Sequence, residues 1–250
     1  MEVVLLCGGR GERMQEYTKK IPKPMVPIGG RPMIWHVMQM YSQAGCKNFT
    51  LCLGYKGEVI RDYFIKNSNS SSVSDATEVF KYGDWTVRLA STGITTMTGG
   101  RLKRVEPYIE GENLLVSYAD AVSDVNLSSV IEFHERQERQ GTVTLVRQPP
   151  RFGVVRLEGE RVTHFAEKHA ENEPWISGGF FVFSREVFKY LIDDETVLEE
   201  EPLSTMASIG ELSGFQHDGF WQCMDTAYEV AKMNTAWKKE DHPWIRREIN

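Results

Sequence analysis

The chain opens on a strand pattern that empties directly into a glycine-rich turn. Residues 1–6 carry Val3, Val4, Leu5 and Leu6 in succession, and Cys7-Gly8-Gly9-Arg10-Gly11-Glu12-Arg13 follows at once. A turn of this kind can cradle a phosphate, because glycines let the backbone approach an anion and aim its N–H groups at it. Arg13 and Lys23 supply the charge that amides lack. Lys23 stands in Pro22-Lys23-Pro24, where the two prolines limit the backbone and give the ammonium a stiff mount. Two common phosphate loops are excluded. There is no G-x-x-x-x-G-K-[ST], and the dinucleotide fingerprint fails at Met14, where its third glycine belongs.

Strand and helix patterns alternate after this turn. Helical spacing over 32–44, a strand over 48–55, a short helix over 58–65 and a strand over 85–90 lead to a helix over 100–109. A strand over 113–118 then ends on Asp120, followed by an amphipathic helix over 127–139 and a strand over 142–148. The Ser- and Asn-rich stretch 67–74 reads as an exposed loop. This β-α-β-α order predicts an α/β fold with a mostly parallel sheet covered by helices on both faces. Ligands of such sheets sit beyond the carboxyl ends of the strands, where the opening turn and Asp120 both fall.

The second half changes character. A hairpin is expected around Glu158-Gly159-Glu160, joining strands over 152–157 and 162–165. A strand over 175–183 contains Gly178-Gly179, and glycines inside a strand mark close approach of a ligand or another backbone. Helical patterns at 185–192, 201–209 and 226–237 and a short strand at 212–215 complete the chain. The expected organisation is a single domain of 1–250. Its nucleotide-binding half covers 1–150, and a smaller β-containing substrate half covers 151–250.

Two carboxylates carry the predicted chemistry. Asp120 ends a buried strand, and Asp225 lies in Phe220-Trp221-Gln222-Cys223-Met224-Asp225-Thr226, just before the last helix. A hard divalent cation such as Mg²⁺ takes one or two carboxylates together with phosphate oxygens and waters. The plain alternative for Asp225 is a helix N-cap, and for Asp120 a turn residue. Arg13, Lys23, Arg101 and Lys168 converge from four separate segments, and the start of the helix at Gly100 offers free N–H groups to an anion. His36 and His134 fall in helices as packing residues.

The net charge of −6 and pI of about 5.6 argue against a nucleic-acid partner. The four cysteines have no paired or zinc spacing, and no apolar stretch approaches a membrane span. Reduced thiols, the absence of a signal-peptide pattern and the absence of a span predict the cytoplasm.

These residues resemble the bacterial sugar-phosphate nucleotidyltransferases, and within them the glucose-1-phosphate cytidylyltransferase branch. The opening turn and Pro22-Lys23-Pro24-Met25 are shared widely in that family. Thr98-Gly99-Gly100-Arg101-Leu102-Lys103-Arg104 and Phe220-Trp221-Gln222-Cys223-Met224-Asp225-Thr226 point to the cytidylyl branch. Arg151-Phe152-Gly153, Glu167-Lys168 and Gly178-Gly179-Phe180 extend the match into the second half.

The resemblance implies a Rossmann-like nucleotide-diphospho-sugar transferase fold, a homo-oligomer, and Mg²⁺-dependent transfer of CMP from CTP to a sugar 1-phosphate, glucose 1-phosphate first. It implies that Leu6, Cys7, Gly8, Gly9, Arg10, Gly11, Glu12 and Arg13 hold the nucleotide, with Arg13 and Lys23 on phosphates. Thr96, Arg101 and Ala119 would contact nucleotide or product, Lys168 and Gly179 would lie on the acceptor side, and Asp120 and Asp225 would hold the metal. The product class, CDP-sugars, serves surface polysaccharide synthesis.

Four positions depart from the pattern. Ala119 and Ala121 flank Asp120 in place of glycines, Glu12 replaces a threonine, and Ser91 replaces an aspartate. Another phosphorylated or phosphonate acceptor, uridylyl transfer, and a non-catalytic nucleotide-binding protein therefore stand as alternatives.

Overall fold

A computed structural model of the chain describes residues 1–74, 77–148, 154–166 and 174–245. Its centre is a nine-stranded sheet. In chain order the strands are β1 (Glu2–Leu6), β2 (Asn48–Leu53), β3 (Ser70–Ser74), β4 (Thr77–Tyr82), β5 (Trp85–Ser91), β6 (Asn113–Tyr118), β7 (Gly141–Val146), β8 (Ile176–Ser184) and β9 (Leu212–His217). In space they lie in the order β9-β7-β8-β6-β1-β2-β5-β4-β3. All run in one direction except β4 and β8. The sheet is therefore mostly parallel, as the alternating pattern predicts, and it takes strands from both halves of the chain.

Helices cover both faces. Met33–Gln43, Gly57–Asn67, Leu127–Gln137 and Ala227–Lys238 pack on one side, and Thr98–Val105 and Glu201–Ser208 on the other. β1 explains the unbroken apolar opening. Val3 and Leu5 face the first cluster while Val4 and Leu6 face the second, so each position of the strand is buried on one side or the other. Met33–Gln43 buries Met33, Ile34, Val37, Met38 and Tyr41, the stripe its helical spacing predicts. His36 and His134 are packing residues. His36 Nε2 donates to the Ile28 carbonyl at 2.9 Å, and His134 Nδ1 lies 3.0 Å from Thr142 Oγ1.

Three sequence expectations are corrected. The stretch read as a loop over 67–74 contains β3, which pairs antiparallel with β4 at the sheet edge. Ser70, Ser71 and Ser72 are solvent-exposed there, so an edge strand's outer position tolerates a composition that reads as loop. The helix expected over 100–109 begins at Thr98 and gives way to a 3-10 turn at Glu106–Tyr108, where Pro107 cannot donate the next helical hydrogen bond. The helix expected over 185–192 is a 3-10 turn, Arg185–Tyr190. The hairpin around Gly159 is present as Val154–Glu158 paired with Arg161–Ala166. No helix among the described residues is long and apolar enough to cross a membrane.

Candidate active site

The site forms where the chain reverses its direction of travel across the sheet, between β1 and β6. Leu6 and Tyr118 are in register on these adjacent parallel strands, so Cys7–Gly8 and Ala119–Asp120 leave the sheet side by side. This is the switch point at which open parallel sheets form crevices.

A small ribbon brings in the third wall. Ala121–Ser123 pairs antiparallel with Trp221–Cys223, and the Met224 amide donates to the Asp120 carbonyl at 2.8 Å. The ribbon therefore sets Asp225 beside Asp120. Lys23 arrives from a short 3-10 turn, Lys23–Met25, closed by the Met25 amide on the Pro22 carbonyl at 2.8 Å. Its ammonium stands between the carboxylates, 2.6 Å from Asp120 Oδ2 and 2.5 Å from Asp225 Oδ1. Arg13 reaches the other oxygen of Asp225 at 3.0 Å from an exposed position.

The electrostatics follow from this geometry. Burial pulls the Lys23 ammonium down, but Asp120 and Asp225 outweigh it and hold the pKa above the ordinary lysine value. Burial pushes Asp225 up, but the hydrogen bond and charge of Lys23, with Arg13, leave it below the usual carboxylate range. The Cys223 thiol is pushed up, first by burial and then by Asp120. Asp120, Cys223 and Asp225 present donor atoms within 4.8 Å of one another. Two carboxylates opening onto a cavity suit a hard divalent ion that keeps waters and phosphate oxygens in its remaining positions.

The ambiguity over Asp225 has a structural answer. The cap of the last helix is Thr226, in a capping box with Glu229, whose carboxylate accepts from the amides of Asp225 and Thr226 at 2.6 and 2.8 Å. The Asp225 carboxylate takes no part in the cap and is turned to Lys23 and Arg13.

A cavity of about 520 Å³ brings together most of the predicted residues. Leu6, Cys7, Gly8, Gly9, Arg10, Gly11, Glu12, Arg13, Lys23, Thr96, Arg101, Ala119, Asp120 and Asp225 all line it. Met14, Pro24, Met97, Thr98 and Tyr118 line it too and were not anticipated. Tyr118 had a readable signal, since it immediately precedes Ala119-Asp120 at a strand end. Its hydroxyl donates to Glu199, which also accepts from Thr98 Oγ1 at 2.6 Å. Gly179 does not line the cavity. It adopts a left-handed φ of 79° against the Tyr118 ring, where a Cβ would come within 2.5 Å of Cδ2. Lys168 lies outside the described residues, as do Arg151, Phe152, Gly153 and Glu167.

Arg101 occupies an unexpected place. It is only 4% exposed and lies beneath the glycine turn. One guanidinium nitrogen donates to Thr92 Oγ1 at 2.8 Å and to the carbonyls of Gly93 and Leu53 at 2.7 and 3.3 Å, and the other to the Gly8 carbonyl at 3.3 Å. It thereby ties together the loops that leave three adjacent parallel strands, β1, β2 and β5. Gly8 and Gly54 are glycine because a Cβ would meet this guanidinium at 2.1 and 2.5 Å. The close approach that Gly8 allows is to Arg101.

The helix start at Thr98 is partly engaged within the protein. The Met97 and Gly100 amides donate to the carbonyls of Asp194 and Thr196, and Gly99 and Gly100 admit that backbone at distances no Cβ would tolerate. Ala119 and Ala121 are 1% and 3% exposed and belong to the core. Their methyl groups are packed inside the protein.

This sheet order, with a crevice at its switch point, defines an α/β fold of the nucleotide-binding kind. The sequence profile described as nucleotidyl transferase matches residues 2–214, and the chain belongs to that family. It is 41% identical over 253 residues to a glucose-1-phosphate cytidylyltransferase of Salmonella typhi, with 98% of each chain covered. The fold is shared with HddC from Yersinia pseudotuberculosis (TM-score 0.71, 23% identity, 94% of this chain and 99% of that one). It is shared also with a UDP-glucose pyrophosphorylase complexed with UDP-glucose (TM-score 0.70, 18% identity, 96% and 99%).

Proposed function

We propose that this protein transfers CMP from CTP to glucose 1-phosphate, releasing pyrophosphate and forming CDP-glucose. The observation that carries this reading is the 41% identity, end to end, with the Salmonella cytidylyltransferase. In this reaction an oxygen of the sugar phosphate attacks the α-phosphorus of the nucleotide in line as pyrophosphate departs. No covalent enzyme intermediate is required. The protein's contribution is to position the two phosphates and balance their charge.

The glycine turn takes the polyphosphate, with Arg13 at its solvent edge and Lys23 at its floor. Arg101 holds the turn in shape from below and adds positive potential that no carboxylate cancels among its hydrogen-bond partners. Asp120 and Asp225 hold Mg²⁺, which when bound neutralises phosphate charge. Lys168 and the segment around it serve the acceptor. The four free thiols suit a reducing cytoplasm. A homo-oligomer is supported by the hairpin, which leaves Val155, Leu157, Val162 and Phe165 exposed.

The test is pyrophosphate release with purified protein, Mg²⁺, four nucleoside triphosphates and a panel of sugar 1-phosphates. CTP with glucose 1-phosphate should be the fastest pair. Activity only with UTP, or with another acceptor, would replace the specificity. CTP binding without pyrophosphate from any acceptor would make the protein a binding module.

A further inference from the structure

The geometry points to Lys23 as a resident counter-ion that competes with a divalent ion for the two aspartates and yields them most readily when a polyphosphate arrives with the ion. The inference rests on the metal and nucleotide roles proposed above. Its starting observation is that Lys23 Nζ makes ion pairs of 2.6 and 2.5 Å with Asp120 and Asp225, the two carboxylates that would hold the metal. Lys23 lines the cavity, yet it is not a lysine held free for phosphate. It spends two of its three protons on the metal ligands.

Charge balance makes the arrangement selective. Asp120 and Asp225 bring two negative charges, and Lys23 and Arg13, both in contact with them, bring two positive charges. The cluster is neutral as it stands. Two carboxylates this close repel each other without a cation between them, so Lys23 also keeps the pair assembled. A divalent ion entering alone competes with the ammonium for the same two carboxylates and leaves the cluster with a double positive excess in a half-buried place. A triphosphate entering with the ion removes that excess and offers Lys23 and Arg13 new partners along the glycine turn. The Lys23 side chain is 12% exposed and its backbone is flanked by prolines, so it has little freedom to leave without such a partner. Metal and nucleotide should therefore load together, with Lys23 moving from carboxylate to phosphate as they do.

The test measures Mn²⁺ binding by electron paramagnetic resonance in the absence of nucleotide. Lys23→Met should bind free Mn²⁺ at least about tenfold more tightly than the natural chain, because the competing cation is gone. Lys23→Arg should stay weak, and Asp225→Asn should lose the site. Equal or weaker Mn²⁺ binding by a natively folded Lys23→Met protein would overturn the inference.

A second measurement needs no variant. Acetic anhydride labelling read by mass spectrometry should modify Lys23 slowly in the natural protein and faster at saturating Mn²⁺, with Lys19 and Lys20 unchanged. An unchanged Lys23 rate at saturating Mn²⁺ would also overturn it. Neither measurement depends on which nucleotide the enzyme uses. A failed cytidylyl assay with Mn²⁺ results as expected would thus count against the proposed reaction and leave the Lys23 inference standing.

Discussion

Asp225→Ala and Thr226→Ala form a pair of substitutions, one residue apart, that should have similar effects on stability and very different effects on activity. Thr226 caps the last helix and Asp225 does not. Losing the cap costs about 1 kcal/mol. Losing Asp225 removes ion pairs to Lys23 and Arg13. Charged hydrogen bonds of this kind are worth about 1.5–3 kcal/mol when buried. Asp225 is 21% exposed and Lys23 keeps Asp120, so solvent screening brings the net loss to about 1 kcal/mol. Each variant should therefore melt about 2–4 °C lower in a chain of this size.

Catalysis should separate them. On the proposed metal role, Asp225→Ala removes one of two carboxylate ligands, and several kcal/mol of transition-state charge stabilisation should go with it. About 4 kcal/mol corresponds to a roughly thousandfold fall in kcat. Thr226→Ala should stay within about threefold of the natural rate. Thermal melting and pyrophosphate release on the same preparations decide the matter. An Asp225→Ala enzyme that keeps a tenth or more of its rate would refute the assignment of this carboxylate to the metal.

Further outcomes follow from the same coordinates. Gly8→Ala would set a Cβ 2.1 Å from the Arg101 guanidinium and should cost about 1–3 kcal/mol by overpacking, with weaker nucleotide binding. Gly9→Ala, which meets nothing within 4 Å, should leave the melting temperature unchanged in parallel denaturation curves. Burial pushes the His36 pKa down to about 4 from 6.5. A depressed value means that the unfolded chain takes up the proton first, so stability is full above pH 6.5 and declines as pH falls toward 4. The loss is about 3 kcal/mol at most, and urea titrations of the natural chain and His36→Gln across that window should show a steeper slope in the former, since buried His134 contributes with the same sign to both. The Asp225 carboxyl is held below 3.8 by Lys23, so the contribution of this ion cluster should persist through mildly acidic pH and vanish only as pH drops below that value. Asp225→Asn should remove that acid limb from the pH–stability curve.

Much of the fold was legible in the chain because burial on two faces leaves a local trace. The apolar run of β1, the stripe of Met33–Gln43 and the strand over 113–118 could be recognised without their partners. β3 could not, because an exposed edge strand owes its conformation to its neighbour β4. The candidate site was legible as a set of residue types at strand ends. Asp120, Asp225, Lys23 and the glycine turn were each conspicuous in sequence, and Asp225 came with a plain alternative, the helix cap, that only position could remove.

Sequence by itself determined which groups were available: two carboxylates, a proline-mounted lysine, an arginine in a Gly-Gly-Arg start and a strand that ends in glycines. Tertiary structure alone decided how they are spent. It turned Arg101 inward under Gly8, tied the Met97 and Gly100 amides to the Asp194 and Thr196 carbonyls, capped the last helix with Thr226, and set Lys23 between Asp120 and Asp225. The reason is that a hydrogen bond or an ion pair depends on distances of a few ångströms between segments far apart in the chain. Those distances are set by the register of β1 with β6 and by the ribbon that joins Ala121–Ser123 to Trp221–Cys223.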